Sequence, residues 1–320
     1  MKTQAQSTPP PEGLIIELVT PLTEAGDLDQ GSLTRLVNRA AAAADGLFAG
    51  SPGAGEALNL PLDLRLDLLN LLLATLQGRL PLFFGITANS WEETRELALA
   101  VDKTCRKLRY PGLVFLTDLP LWYHSNRGLP QACKELLEKI KLPLILLNLP
   151  QIVRRRAPLF KRHNIRTHVF KKLAALPKIA GLVNQGEIRR FLNYHHAARA
   201  EFAFYEADEA DFLTRPGTRG VVSSGAQLFP TAWQWVVRAC LHPEDAADDP
   251  QRRYELWAIS QDFLKMARLY RANPVPLLKA ALKSQGVLAS DATAPGTPQV
   301  PAPQKQKSLE FIAAIPEKAP

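Results

Sequence analysis

Short apolar runs recur eight times in this chain, and each leads into a stretch with helical spacing. The runs are Leu14 to Val19, Gly46 to Ala49, Leu80 to Phe84, Leu113 to Leu116, Leu142 to Leu147, Ile179 to Val183, Glu201 to Tyr205 and Gly220 to Ser223. Strand and helix in alternation imply βα units and a parallel sheet. Strands covered on both faces are continuously apolar, as Leu142-Pro143-Leu144-Ile145-Leu146-Leu147 is. Eight such units close a barrel, and Gly13 to Cys240 spans about 230 residues, near the ~250 typical of the architecture. The expected fold is therefore α/β, a TIM (β/α)8 barrel with a C-terminal helical appendage. Residues 1–12 read as a disordered N-terminal tail, 13–241 as the barrel, and 242–320 as a helical extension with a proline-rich strap.

Leu33, Leu36, Val37 and Ala40 follow i, i+3, i+4, i+7 spacing, and Ser90 with Glu93 makes a capping-box pattern ahead of Leu97. Leu58 to Leu68 alternates, which suits a strand, yet Pro61 suits a helix start and Leu62, Leu66, Leu69, Leu73 and Leu76 share a helical face. Helix is the reading that keeps the βα alternation. In the extension, Leu256, Ile259, Phe263, Met266 and Tyr270 form an apolar stripe that ends at Asn273-Pro274. Helices are expected at Pro276 to Gln285 and Ser308 to Ala314, with Ala292 to Gln306 extended between them.

The net charge of +8 has one source. Arg154, Arg155, Arg156, Lys161, Arg162, Arg166, Lys171 and Lys172 lie within 22 residues that contain no acid, and outside them 31 basic residues face 31 acidic ones. Only Phe160 and Phe170 interleave this run as aromatics, so a nucleic-acid partner is not expected. The longest strongly apolar stretch, Leu68 to Leu76, is too short for a membrane span, and the start lacks a secretory pattern, which points to the cytoplasm. Cys105, Cys133 and Cys240 are too scattered for a disulfide framework or a metal motif. No metal or other cofactor is expected.

Several landmarks in order resemble the dihydrodipicolinate synthase and N-acetylneuraminate lyase family. They are Val19-Thr20-Pro21 with Gly26, Gly53-Ala54-Gly55-Glu56, Gly78-Arg79-Leu80-Pro81 leading into Gly85, Asn148-Leu149-Pro150, Gly181, Gly220-Val221-Val222-Ser223, and Asn273-Pro274-Val275-Pro276 before Lys279. The resemblance implies a lyase of the aldolase type that handles 2-keto acids through a lysine Schiff base at the end of strand six, and a homo-oligomer. At the lysine's place stands Val183. A valine has no nitrogen from which an imine can form, and Lys178, five residues earlier, lies about 17 Å away along an extended strand. The proton-shuttling tyrosine falls on Leu147, the threonine pair on Gly53 and Ala54, and the substrate-carboxylate arginine on Ile152.

Active sites of such barrels lie at the C-terminal strand ends. The expected pocket comprises Thr20, Gly53, Ala54, Gly55, Leu147, Asn148, Val183, Asn184 and Ser223, with Glu56, Thr87 to Asn89, Thr117, Asp118, Glu206 and Asp208 as further polar groups near it. The turn from Ser51 to Gly55 can offer backbone N–H groups to a carboxylate. Arg154, Arg155 and Arg156, on a loop after strand five, can draw a small anionic ligand or form a solvated insertion, the commoner fate of a charge run. Tyr123 can pack locally or reach across a subunit boundary, and His195 and His196 are expected at the surface. The preferred reading is a family barrel without family catalysis, kept for binding or regulation. The alternative is an active carbon–carbon lyase using other groups, such as Glu206 and Asp208, on an anionic keto-acid-like substrate. What fills the space above Val183 separates a silent scaffold, which an apolar plug would mark, from a ligand site, which a polar cavity would mark. An ammonium-bearing side chain in the barrel mouth would contradict the loss of imine chemistry.

Overall fold

A computed structural model describes residues 9–156, 162–214, 218–246 and 249–315. Lys161 and Phe160 of the basic run lie outside the described residues, as do 1–8 of the expected tail and the last five residues of the extension.

Eight parallel strands pair in sequence order and close into a barrel. They are β1 (Gly13–Glu17), β2 (Gly46–Ala49), β3 (Leu82–Gly85), β4 (Val114–Asp118), β5 (Leu144–Asn148), β6 (Ile179–Asn184), β7 (Ala203–Glu206) and β8 (Gly220–Ser223). Each of the eight expected runs holds one strand, yet β4 and β5 run one or two residues further, into Asp118 and Asn148, than apolar composition alone suggested. The polar upper ends of barrel strands are still strand. Closure depends on a seam of glycines: Gly13 registers with Gly220, and a Cβ on Gly220 would lie 2.0 Å from the carbonyl oxygen of Gly13.

Around the barrel run α1 (Gln30–Ala41), α2 (Leu62–Leu76), α3 (Trp91–Lys107), α4 (Leu129–Lys139), α5 (Pro150–Arg156), α6 (Thr167–Ala174), α7 (Ile188–Ala197), α8 (Glu209–Thr214) and α9 (Pro230–Leu241). The ambiguous leucine stretch is helix, with Pro61 at its N-cap and Leu68, Leu69, Leu72, Leu73 and Leu76 buried. Ser90 accepts from Glu93 N, while the Glu93 carboxylate returns to Asn89 N rather than to Ser90 N, a shifted capping box. The segment Arg154 to Arg156, expected as loop, is the last turn of α5, since the proline at 150 starts a helix rather than preventing one.

The extension forms α10 (Pro250–Tyr270), α11 (Pro274–Ser284) and α12 (Ala302–Ala313). Phe263 of α10 stacks on Trp233 of α9 at 4.6 Å between ring centroids, fixing the appendage to the barrel. Helices α11 and α12 start earlier than the proline count suggested because Pro276 and Pro303 sit in first turns, where no N–H partner is lost. The strap therefore ends at Pro301. The tail expected to be free through residue 12 is held at its inner end: the Tyr205 hydroxyl donates to Pro11 O, and Arg219 Nε donates to Pro10 O at 3.0 Å. Among the described residues no helix is long and apolar enough to cross a membrane.

Candidate functional site

At the C-terminal mouth of the barrel lies a cavity of about 330 Å³, roofed by the α10–α11 junction. Its floor is apolar. Val183 and Leu147 are register partners in β6 and β5, and Phe48 rises beside them from β2. The cavity wall also carries charged groups, Glu17, Glu56, Asp208 and Glu209 with Arg155 and Arg271.

Glu17 is the residue that reasoning from the sequence missed. It ends β1 inside the otherwise apolar run Leu14 to Val19, and an acid within a doubly buried strand was the available signal. Its Oε1 lies 3.3 Å from Ala54 N, and its Oε2 accepts from the Ser224 hydroxyl. The turn read as a seat for a ligand carboxylate thus already holds a carboxylate of the chain. Gly53 makes this arrangement fit: a Cβ there would begin 3.0 Å from Glu17 Oε1, so any larger side chain would have to displace it. The absence of side-chain bulk at 53 and the presence of Glu17 are two sides of one packing arrangement.

Of the expected pocket residues, Gly53, Ala54, Leu147 and Val183 line the cavity. The other five lie behind it as supports. Thr20 Oγ1 donates to Gly55 O at 2.8 Å, and Gly55 N donates to Ser51 Oγ at 2.8 Å, which shapes the turn. Asn148 Nδ2 donates to Asn184 Oδ1 at 2.9 Å and to Asn164 Oδ1 at 3.0 Å. Ser223 donates to Glu209 Oε1 at 2.7 Å.

The acids at the end of β7 have structural partners. Glu206 Oε1 accepts from Ala207 N and Asp208 N at 3.0 and 3.1 Å, Asp208 pairs with Arg271 at 2.5 Å, and Glu209 accepts from the Tyr270 hydroxyl, Ser223 and Gly225 N. Burial raises the Glu209 carboxyl against the pull of these donors, and the same burial, with Glu209 beside it, holds the Tyr270 phenol well above its usual range. Among the described residues no three His, Cys, Asp or Glu side chains are grouped so as to hold a metal ion.

No lysine lines the cavity among the described residues. Lys178 is at the lower end of the barrel, donating to Leu137 O and Ile140 O at 2.6 and 2.7 Å. Lys279 of α11 is fully buried, but its Nζ is bound to Glu56 Oε2 at 2.5 Å and to Ala292 O at 2.7 Å. The other oxygen of Glu56 accepts from Ala294 N and Thr297 Oγ1, so this pair ties the second βα turn to the strap.

The three arginines diverge. Arg155 lines the mouth and donates to Ala272 O, Arg156 turns away to Asn89 O at 3.1 Å and over the Trp122 ring, and Arg154 lines neither place. His195 and His196 sit on the exposed side of α7, the first stacked on Phe204. Tyr123 packs locally: its hydroxyl donates at 2.5 Å to Asp118, which also accepts from Thr87 Oγ1 at 2.9 Å. Arg65, unexpected in the core, braces this cluster by donating to Thr87 O and Gly85 O, and burial brings its guanidinium down to about 10.

Burial pushes the Asp118 carboxyl up to about 6 despite the hydrogen bonds from Tyr123 and Thr87. Because this exceeds the unfolded value of 3.8, the folded chain keeps a proton that the unfolded chain releases. The resulting stability is full below about pH 4 and is lost as pH rises through about 6, a change of about 3 kcal/mol. Asp118→Asn is expected to flatten urea midpoints across that window; an unchanged slope would assign it to other groups.

The dihydrodipicolinate synthetase family model matches residues 10–315. The 4-hydroxy-tetrahydrodipicolinate synthase of Azoarcus sp. (strain BH72) is 30% identical over 296 residues, covering 89% of this chain and 92% of that protein. That of Aromatoleum aromaticum is 28% identical over 310 residues, covering 94% and 98%. Among solved structures, dihydrodipicolinate synthase from Bacillus anthracis has a TM-score of 0.79 at 19% identity, covering 97% of this chain and 100% of that one. At that identity the likeness is one of fold.

Proposed function

The chain belongs to the dihydrodipicolinate synthetase family, and from that premise we propose that it forms no lysine imine and instead binds a small, positively charged ligand in the barrel mouth. The observation that carries this reading is Glu17 seated against Ala54 N. A 2-keto acid entering the mouth would meet a carboxylate where its own would go, and like charges at that range repel. An ammonium group would meet the Glu17 carboxylate, which lines the cavity. The space above Val183 is an open cavity with charged groups in its wall and not an apolar plug, which supports ligand binding over a purely structural scaffold.

The alternative lyase on an anionic keto-acid-like substrate is the weaker reading. Glu206, Asp208 and Glu209 all have structural partners within the fold, and Arg155 already donates to Ala272 O. Val183 and Leu147 offer neither a nucleophile nor a proton carrier.

A thermal-shift panel of small primary amines and small carboxylates tests the proposal. At least one amine is expected to stabilise the full chain at millimolar concentration, and Glu17→Gln is expected to abolish that shift. Stabilisation by carboxylates alone, or an amine shift indifferent to residue 17, would overturn it.

A further inference from the structure

Apart from Arg155, the described part of the basic run does not line the barrel mouth, and its destination suggests a second site. Arg156, at the end of α5, and Arg162, Arg166 and His168, at the start of α6, meet Arg127 and His124 from the loop after β4 around a separate cavity of about 960 Å³. Bases from two distant stretches of sequence thus converge on one space, and no acid lines it among the described residues. The Asp118 carboxylate is buried under the Tyr123 hydroxyl.

The walls are built rather than incidental. Asn126 joins the two segments, donating through Nδ2 to Asn164 O at 3.1 Å and accepting from Arg166 N at 2.8 Å. Ile165 N donates to Asn148 Oδ1 at 3.0 Å, and the Tyr194 hydroxyl donates to Ile165 O. Asn148, expected in the barrel pocket, therefore anchors the basic segment from the end of β5. Trp122, Val153 and Val169 add an aromatic and apolar side to the cavity. Arg166 at the N-cap of α6 offers no side-chain acceptor, so the first turn of that helix adds positive potential beside His168.

Four arginines line one cavity that holds no acid among the described residues, a setting that favours an anion, and planar guanidinium forks match phosphate oxygens. We propose that this cavity binds a small phosphate-bearing molecule, with its phosphate among Arg127, Arg162 and Arg166. This is independent of the ligand assigned to the barrel mouth. It also gives the expected small anionic ligand a different address from the one the basic run first implied.

Calorimetric titration of the full chain with inorganic pyrophosphate and with adenosine 5′-monophosphate tests it. One equivalent is expected to bind, with tighter binding of the monophosphate indicating a phosphate ester and tighter binding of pyrophosphate a free phosphate. Arg162→Gln with Arg166→Gln is expected to weaken binding by about tenfold or more, whereas Arg154→Gln and Glu17→Gln leave it unchanged. Circular dichroism of the double variant establishes that it is folded. No binding of either probe at millimolar concentration, or affinity that survives the double substitution, would overturn the proposal. So would binding of single-stranded RNA, steeply dependent on salt, in place of both small anions.

Discussion

Lys279→Met is expected to lower the stability of the chain by about 3–5 kcal/mol, because it strands the Glu56 carboxylate inside the protein. Both side chains are essentially without solvent contact, and Glu56 Oε2 has Lys279 Nζ as its partner at 2.5 Å. Burial draws the Lys279 ammonium below its usual range and Glu56 opposes that shift, so neither charge is tolerated without the other. The loss should reach beyond the pair. Glu56 also holds Ala294 N and Thr297 Oγ1, and these contacts pin the strap that borders the mouth. Glu56→Gln combined with Lys279→Met should recover much of the loss, since no charge then remains buried. Urea unfolding of both variants measures this, and a single variant within 1 kcal/mol of the parent would mean that water reaches the pair.

Condensation or cleavage of 2-keto acids is expected to run about a million-fold below an enzyme that retains its nucleophile. Four separate features lead there. Val183 has no amine, Leu147 no proton to shuttle, Gly53 and Ala54 no hydroxyls, and Ile152 no charge for a second carboxylate. Glu17 adds a fifth that is not a loss but a replacement, because its carboxylate sits against the Ala54 N–H. The arrangement is consistent across levels: small residues at 53 and 54 admit the acid, and the acid excludes the anion.

The fold was legible because a doubly covered parallel strand needs an unbroken apolar run, and eight such runs separated by helical spacing leave few alternatives. Element ends were less legible. Asp118 and Asn148 are polar yet belong to strands, since the upper end of a barrel strand serves the loops above it, and Pro303 sits in the first turn of a helix where the proline-rich composition had suggested an extended strap. Val183 and Leu147 were identifiable as pocket residues because the family resemblance marks their positions at the ends of strands six and five, and in the structure they are register partners that line the cavity. Glu17 was not, because nothing local shows that β1 and the turn at 53 face each other across 37 residues. The grouping of Arg127 with Arg162 and Arg166 was hidden for the same reason: side chains on separate loops meet only once the barrel has closed.

The central claim is that no amine is available in the barrel mouth for a keto acid to condense with. Intact-mass spectrometry of the full chain after incubation with pyruvate and sodium borohydride tests it most directly. The account predicts an unchanged mass, while a stable pyruvyl-lysine adduct that survives digestion and maps to one residue would contradict it.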